Sequence, residues 1–299
     1  MNYRYTIIIP HKNIPDLLKR CLKSIPQDDS IQIVVVDDAS ENEIELAEVQ
    51  KDFPYVEFYF EHSALGAGHA RNVGLKHALG DWIVFSDADD YFEVDLLNKL
   101  DAHYEDKEDI IYFNARSVYS NNLCTSPRLA KRNNNIKKLL NNPSKLYDLC
   151  RFFCTEPWGK MIKHRLIKDY NILFDETPLA NDFFFSVAAG VYAMSVSFDK
   201  SDLYVYTERE GSLSNAYCSN ENTLKTRLFV YKKVQDFLDI HNIPYIPFYR
   251  FSVWEYRNPN KRFAEIVLDF WKRNGITPKY ALFRYVKGKI YQFTTGISL

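Results

Sequence analysis

Three acidic residues follow directly after an apolar run in the first third of this 299-residue chain. The apolar run is Trp82–Phe85, and the acids are Asp87, Asp89 and Asp90. Side chains two residues apart on an extended chain point the same way, so the carboxylates of Asp87 and Asp89 are expected to converge. A hard divalent cation such as Mg²⁺ or Mn²⁺, with substrate phosphates completing its shell, would relieve their repulsion. The alternative is an acidic turn that caps the next helix, because Asp is common at turns and helix starts.

The elements that must position these acids are predicted from the pattern of residues 1–115. Short runs rich in β-branched and aromatic residues predict strands at 5–10, 31–36, 55–60, 81–85 and 110–113. Apolar residues at helical spacing predict helices at 14–24, 41–51, 68–79 and 93–103. Strands that alternate with helices in this way indicate an α/β fold, in which helices cover both faces of a mostly parallel sheet.

Polar residues follow three of these predicted strands. They occupy residues 10–13, 37–40 and 87–90. Parallel strands end at the same edge of a sheet, and this is the edge at which open α/β sheets bind ligands. Three polar turns on one edge are hard to explain by helix capping alone. We therefore predict that they line one ligand-binding crevice.

Two further side chains are candidates for this crevice. Arg71 lies in a glycine-containing segment, residues 66–74, which fails as a dinucleotide fingerprint because the third glycine would fall at Arg71. Arg71 is interpreted as reaching toward an anion or a base, and the alternative is a surface arginine on a glycine-rich helix start. Asp182 precedes a predicted helix at 183–193. It is either an acid that caps this helix or a general base that projects over the crevice.

The rest of the chain divides into a polar stretch and a helical end. Residues 117–142 are predicted to form a loop or an insertion, a strand is predicted at 199–206, and the pattern is helical from residue 219 onward. Residues 245–299 contain ten Lys or Arg and three acids, a net charge of +7. They also contain one apolar stripe at helical spacing, formed by Phe263, Ile266, Val267, Phe270 and Trp271. This stripe predicts either a helix that lies on an anionic membrane or a core-packed helix with solvated basic flanks.

Composition narrows the class of protein. A formal net charge of −1 argues against nucleic acid as a partner. Five cysteines, an odd number without a CxxC pair, are typical of a reducing compartment. We recognise no signal peptide and no apolar window of about 18 residues, the length that a spanning helix needs. The expected location is cytoplasmic, either free or peripheral on the inner face of the membrane.

The motifs, in their order, resemble family 2 glycosyltransferases of the GT-A fold. The matching segments are residues 6–13, 34–40, 66–74, 85–90, 158–160, 181–182 and 206–214. This resemblance implies a metal-dependent, inverting glycosyltransferase of the hexosyltransferase type. It would move a sugar from a nucleotide-diphosphate donor, by default a UDP-hexose, to a hydroxyl of a glycan or lipid-linked acceptor. A role in cell-surface polysaccharide synthesis is expected.

The resemblance also implies a role for each matching residue. Asp89 matches the metal-binding acid of the family's DxD motif, and Asp87 matches the acid that reaches the ribose or a metal-bound water. Asp182 matches the catalytic base. Residues at nucleotide-binding positions are Pro10, Asn13, Asp38, Arg71, Asp87 and Ala88. Residues implied near the acceptor or the diphosphate are Trp158, Arg209 and Ser212. Trp158 could stack on a sugar ring or belong to the core.

Two positions depart from the family pattern. Lys12 stands where many members have Tyr, so stacking on the base is in doubt there, and Asn181 precedes Asp182 where Glu is usual. The expected division is a nucleotide-sugar-binding half at 1–115, an acceptor-binding half at 116–218 and a helical basic extension at 219–299. The alternatives are a non-catalytic carbohydrate-binding or scaffold protein with this fold, and a sugar-nucleotide pyrophosphorylase. Pyrophosphorylases carry a glycine-rich loop after the first strand, which residues 10–13 do not resemble.

Overall fold

One mixed β-sheet organises the protein. The computed structural model describes residues 3–209 and 220–295. Within these residues a single sheet of eight strands is present. The strands are β1 (Tyr5–His11), β2 (Ile31–Asp38), β3 (Glu57–Glu61), β4 (Trp82–Phe85), β5 (Tyr91–Phe92), β6 (Ile110–Tyr119), β7 (Lys160–Lys163) and β8 (Val196–Glu208).

Helices surround the sheet and continue beyond it. Those within the sheet-forming part are α1 (Pro15–Lys23), α2 (Glu43–Asp52), α3 (Ala67–His77), α4 (Leu96–Asp101), α5 (Ala130–Leu139), α6 (Pro143–Phe153), α7 (His164–Asp169) and α8 (Phe183–Tyr192). Those of the C-terminal part are α9 (Glu221–Ile240), α10 (Pro247–Tyr256), α11 (Lys261–Arg273) and α12 (Pro278–Thr295). The predicted helical C-terminal extension is therefore present.

The strand order brings the polar turns together. The order is β3-β2-β1-β4-β7-β6-β8-β5. The first four strands of this order are parallel, β7 runs antiparallel to both of its neighbours, and β6 pairs with β8 in parallel. In register, His11 lies opposite Asp37, and Ile8 lies opposite Phe85. The carboxyl ends of β1, β2 and β4 thus meet at one edge, which confirms the predicted α/β fold with a mostly parallel sheet.

Burial explains why the central strands form. Every residue of β1, β2 and β4 is buried, as expected for strands that are covered on both faces. On one face, Leu22 of α1, Val49 of α2 and Leu100 of α4 belong to one core cluster. On the other face, Leu75 of α3 and Phe185 of α8 belong to a second. The two clusters fix the sheet between two helical layers.

The C-terminal helices have a core of their own. The apolar stripe of α11 packs into it, with Phe263, Ile266, Val267 and Trp271 all buried against α9 and α10. Of the two predicted alternatives for this stripe, the structure has the core-packed helix. Among the helices that the structure describes, none is both long and apolar enough to cross a membrane.

The stretch at 117–142, predicted to be a loop or an insertion, is partly regular. Strand β6 continues to Tyr119, and helix α5 follows at Ala130–Leu139. Three consecutive asparagines and five basic residues give the stretch a polar sequence, but Leu129 and Ile136 are buried in the two sheet cores. Tertiary packing of these two side chains outweighs the weak local propensity for a helix.

The helix predicted at 93–103 is shorter than expected. It begins at Leu96, and the short strand β5 occupies Tyr91–Phe92. Asp95 has a φ of 64°, which lies in the left-handed region, so the right-handed helix cannot extend back through it. The expected division at 115 and 218 stays a prediction, and the single sheet includes strands from both of the first two segments.

A substitution at Gly68 tests how α3 meets the chain before α8. A Cβ atom at Gly68 would lie 2.1 Å from the carbonyl oxygen of Asp175. Replacing glycine by alanine inside a helix usually stabilises a protein by about 0.5–1 kcal/mol. Here we expect Gly68→Ala to lower the free energy of unfolding by about 1–3 kcal/mol, because backbone must move to make room. Urea titration measures the sign, and a stabilised variant would contradict the contact.

Candidate functional site

Two of the three clustered acids are paired with arginines. Arg71 Nη2 lies 2.5 Å from Asp87 Oδ1, and Arg209 Nε lies 2.7 Å from Asp89 Oδ2. Arg71 comes from α3 and Arg209 follows β8 directly, so two distant parts of the chain converge on the loop after β4. Each of the two carboxylates engages its arginine through one oxygen, so each has a second oxygen for another ligand.

The third acid, Asp90, has a different environment. Its side chain is buried and accepts hydrogen bonds from the Tyr204 hydroxyl at 2.8 Å and the Thr207 N–H at 2.6 Å. The Tyr204 hydroxyl also accepts from the Asp87 N–H at 2.9 Å. Asp90 therefore ties β8 to the acidic loop. It does not cap α4, because the N-cap position of that helix is Asp95.

Electrostatic repulsion is strong in this cluster. Burial raises the pKa of Asp87, with Arg71 opposing the shift and Asp89 adding to it. Burial also raises the pKa of Asp90 well above its usual value, and Asp87 and Asp89 raise it further. A cation beside these carboxylates would reduce the repulsion.

The donor set fits a divalent cation that is only partly held by protein. Among the residues that the structure describes, no three His, Cys, Asp or Glu side chains are grouped to hold a metal ion. Asp87 and Asp89 supply carboxylate oxygens, and Mg²⁺ typically takes one or two carboxylates together with substrate phosphates and water. The two acids thus fit a metal that binds together with a diphosphate, and they do not form a closed cage.

Asp38 fixes the start of α3. Its carboxylate accepts from the N–H groups of Leu65 at 2.7 Å and Gly66 at 2.9 Å, and Lys12 Nζ lies 3.7 Å away. Gly66 has a φ of 93°, a conformation that favours glycine. Because α3 carries Arg71, Asp38 helps to position that arginine. Lys12, which replaces the usual Tyr, is a partner of Asp38.

A buried histidine joins the ends of β1 and β2. His11 Nδ1 lies 2.7 Å from Asp37 Oδ1, and the Ile14 N–H donates to His11 Nε2 at 3.2 Å. Asp37 also accepts from Ser40, whose Oγ accepts from the Asn13 N–H at 2.8 Å. A cavity of about 250 Å³ opens beside these residues, between the starts of α1 and α2. The neighbouring Pro10 is buried in β1, opposite Val36.

Arg71 links three elements. Its guanidinium is buried, with Nη2 on Asp87 and Nη1 donating to Asn181 Oδ1 at 3.0 Å. It also lies over the ring of Phe174, at 5.3 Å from the centroid. Asn181, the residue that departs from the family pattern, therefore orients an arginine at the acidic loop.

Asp182 lies at the start of α8 without capping it. It occupies the N-cap position, but its side chain makes no capping hydrogen bond. Burial raises the pKa of Asp182 to about 6, Arg71 opposes the shift, and Asp87 adds to it. The preceding residue, Asn181, is bonded to Arg71, which also holds Asp87, so Asp182 follows directly on a contact with the acidic loop. A half-buried carboxyl with this pKa can accept a proton at neutral pH.

Comparison with known proteins identifies the family. The model of the family described as glycosyl transferase family 2 matches residues 6–162, more than half of the chain. The chain belongs to glycosyltransferase family 2. The resemblance read from the motifs is confirmed.

Two curated relatives are similar over somewhat less than three quarters of this chain. Glycosyltransferase GlyA of Streptococcus pneumoniae is 27% identical over 226 residues, which cover 72% of this chain and 32% of GlyA. The poly(ribitol-phosphate) beta-N-acetylglucosaminyltransferase TarS of Staphylococcus aureus is 27% identical over 235 residues, which cover 73% of this chain and 38% of TarS. The chain thus spans about a third of the length of these relatives.

Solved structures share the fold. The crystal structure of S. aureus TarS 1-349 in complex with UDP-GlcNAc has a TM-score of 0.60 at 22% identity, covering 90% of this chain and 72% of that one. The mannosyltransferase PcManGT from Pyrobaculum calidifontis, in complex with GDP-Man and Mn²⁺, has a TM-score of 0.56 at 17% identity, covering 98% and 81%. These similarities confirm the GT-A fold.

Two residues expected at the site have buried side chains, and a third lies outside the described residues. Trp158 is only 5% exposed and stacks on Tyr204 with ring centroids 4.9 Å apart, so it belongs to the core. The side chain of Ala88 is buried in the same cluster, which leaves only its backbone for a ligand. Ser212 lies outside the described residues.

Some side chains around the acidic loop could not be assigned there from the sequence alone. Arg20 of α1 donates to the Asp89 carbonyl at 2.5 Å, and Tyr204 holds both Asp87 and Asp90. Lys160 is buried, donates to the Cys154 carbonyl at 2.8 Å, and has a pKa that burial lowers to about 8. Lys160 belongs to the motif at 158–160. No local pattern predicts a role for Arg20 or Tyr204, because their partners are distant in sequence.

Proposed function

We propose that the protein is an inverting glycosyltransferase that moves a sugar from a nucleotide-diphosphate donor to a hydroxyl acceptor. The proposed donor is a UDP-hexose, and the proposed acceptor is a glycan or lipid-linked molecule of cell-surface polysaccharide synthesis. The observation that carries the proposal is the carboxyl of Asp182, which starts a helix without capping it. Its electrostatic neighbours are Arg71 and Asp87 of the acidic crevice.

Asp182 is the proposed catalytic base. A hydroxyl is a poor nucleophile at neutral pH, and a carboxylate that removes its proton during attack accelerates the reaction. Burial raises the pKa of Asp182 to about 6, which makes the group a stronger base that is still ionised at pH 7. Attack from the face opposite the leaving diphosphate would invert the anomeric centre.

The donor is proposed to bind across the edge of β1, β2 and β4. The nucleotide would lie near Pro10, Asn13 and Asp38, with the Ala88 backbone and Arg71 beside it. Asp89 and Asp87 would hold a divalent ion, Mn²⁺ or Mg²⁺, which supplies positive charge to a leaving diphosphate. Arg209, which pairs with Asp89, and Ser212 are proposed to meet the diphosphate or the acceptor.

Two other functions compete with this proposal. A pyrophosphorylase is disfavoured because the turn after β1 contains His11, Lys12 and Asn13 where such enzymes have glycines. A non-catalytic scaffold would not need Asp182, whose carboxyl makes no capping hydrogen bond, beside the arginine-paired acids Asp87 and Asp89. Release of free nucleotide from a panel of sugar nucleotides, with and without EDTA, separates the functions, because a scaffold would release none.

Substitution of two acids should separate chemistry from donor binding. We expect Asp182→Asn to lower the transfer rate by at least about a hundredfold, because an amide cannot accept the proton. Calorimetric binding of UDP with Mn²⁺ should be nearly unchanged in this variant and lost in Asp89→Ala. Asp169→Asn, an exposed acid at the end of α7, is the control. Normal transfer by Asp182→Asn would contradict Asp182 as the catalytic base. Normal binding by Asp89→Ala would contradict Asp89 as a metal ligand.

The pH dependence follows from the raised pKa of Asp182. Below about pH 6 the carboxyl is protonated and cannot act as a base, so kcat/KM should fall about tenfold for each further pH unit. The fall should be reversed on returning to pH 7. Binding of UDP with Mn²⁺ at each pH separates loss of the base from loss of the donor. A flat profile down to pH 5, with binding intact, would contradict the assignment.

We further propose a cytoplasmic location with peripheral membrane contact through α12. Phe283, Val286 and Ile290 are spaced along one face of α12 and are 60%, 53% and 60% exposed. Basic side chains flank them at Lys279, Lys287 and Lys289, and no acid follows Asp269. Exposed apolar side chains with basic neighbours are typical of helices that lie on anionic membranes.

Vesicle binding tests this contact. Phe283→Ser combined with Ile290→Ser should weaken co-sedimentation with phosphatidylglycerol-containing vesicles about tenfold, because two apolar anchors are lost. Leu268→Ser, a less exposed position on α11, should bind as the original protein does. Equal binding by all three proteins, or no binding by the unsubstituted protein, would exclude α12 as the contact.

A further inference from the structure

One stretch of the chain is strongly basic and contains no acid. Residues 117–147, here named the basic segment, hold six Lys or Arg and no Asp or Glu, although the chain as a whole has a net charge of −1. The six are Arg128, Lys131, Arg132, Lys137, Lys138 and Lys145. Elsewhere arginines commonly pair with carboxylates, but the structure describes no ion pair for any of these six. Four of the six are exposed, so their positive charge is available to a ligand: Arg128, Lys131, Lys137 and Lys138.

The basic segment borders the catalytic crevice. Arg128 lies over the ring of Tyr206 at 6.0 Å from its centroid, and Arg132 lies over the ring of Trp158 at 5.8 Å. The two rings are themselves 5.9 Å apart. Tyr206 precedes Thr207, whose N–H is bonded to Asp90. Two arginines thus flank an aromatic pair that adjoins the acidic loop.

Arg132 of the same segment shares electrostatic neighbours with the proposed base. Arg132 and Asp182 both interact electrostatically with Lys160 and with Glu156. Arg132 Nε is buried and has no hydrogen-bond partner among the described residues. The one acid among these neighbours, Glu156, balances part of the charge, and the exposed cations Arg128 and Lys131 lie just outside this group. Arg132 therefore shares two charged neighbours with Asp182, and the exposed Lys131 precedes it in the chain.

We propose that the basic segment binds the acceptor, and that the acceptor is a glycan or polyol chain that carries phosphate groups. This inference rests on the proposed glycosyltransferase function. A guanidinium group binds phosphate oxygens through two parallel hydrogen bonds, and the half-buried ring of Tyr206 beside Arg128 offers a surface for a sugar or polyol unit. A phosphate-bearing chain would also gain affinity from each cation along α5 that it passes.

The observations favour such a chain over an anionic membrane at this surface. Helices that bind in a membrane interface insert exposed apolar side chains. On α5 the large apolar side chain Ile136 is buried in a sheet core, and apart from Ala130 the exposed positions of this helix are basic or polar. The exposed apolar side chains of the basic segment, Tyr119 and Leu123, lie before α5, at the end of β6 and in the turn after it. Helix α5 therefore offers charge without a large apolar anchor.

Direct binding to a defined polyanion tests the proposal. The probe is a fluorescent glycerol-phosphate oligomer, and a maltooligosaccharide of similar length is the neutral comparison. We expect salt-sensitive binding of the phosphate oligomer and about tenfold weaker binding of it by Arg128→Gln/Lys131→Gln. The slope of log Kd against log salt should fall by roughly one for each removed cation that contacts phosphate. Lys107→Gln, an exposed lysine at the opposite sheet edge, should bind as the unsubstituted protein does.

The outcomes separate this inference from the proposed function. The binding assay contains no donor, so a protein that transfers sugar but binds both oligomers equally overturns only the acceptor class. A protein that binds the phosphate oligomer but releases no nucleotide from any donor overturns only the transferase. Unchanged binding by the double variant, with an unchanged unfolding temperature, would exclude the basic segment as the binding surface. If the double variant bound the oligomer normally but no longer bound phosphatidylglycerol vesicles, the partner of this surface would be a lipid membrane.

Discussion

Repulsion between carboxylates at the end of β4 is the constraint on which the site depends. Acids packed together out of water are unstable unless each is compensated, and the compensation is worth several kcal/mol when groups are buried. The protein compensates each acid differently. Asp87 and Asp89 each pair with an arginine, and Asp90 accepts bonds from a hydroxyl and a backbone N–H. Since these partners come from α3 and β8, both elements must converge on one loop.

The central part of this arrangement could be predicted from the sequence. Strands β1, β2 and β4 are buried on both faces, so their apolar runs are continuous and their ends are marked by polar turns. Parallel pairing of these strands then brings Asp38 and Asp87 to one edge without further information. Arg71 could be placed as well, because α3 follows a glycine-rich segment.

The rest required the tertiary structure. Tyr204 lies 117 residues from Asp87, and nothing in its local sequence indicates that partner. Helix α5 carries an asparagine run that predicts a loop, and it is helical because Ile136 fills a gap in the sheet core. The stripe on α11 shows the same limit: periodicity identified an amphipathic helix, but only packing against α9 and α10 decided which way it faces.

Strand β8 has a consequence for anyone who recombines parts of related enzymes. Within six residues the chain supplies three partners of the acidic loop. Tyr204 holds Asp87 and Asp90, Thr207 holds Asp90, and Arg209 holds Asp89. The acidic loop and the end of β8 are thus one unit, although more than a hundred residues of chain separate them. A chimera that takes the chain up to β6 from one relative and the chain from β7 onward from another divides this unit. A chimera should therefore take the loop after β4 and the end of β8 from the same relative, so that the acids keep their own partners.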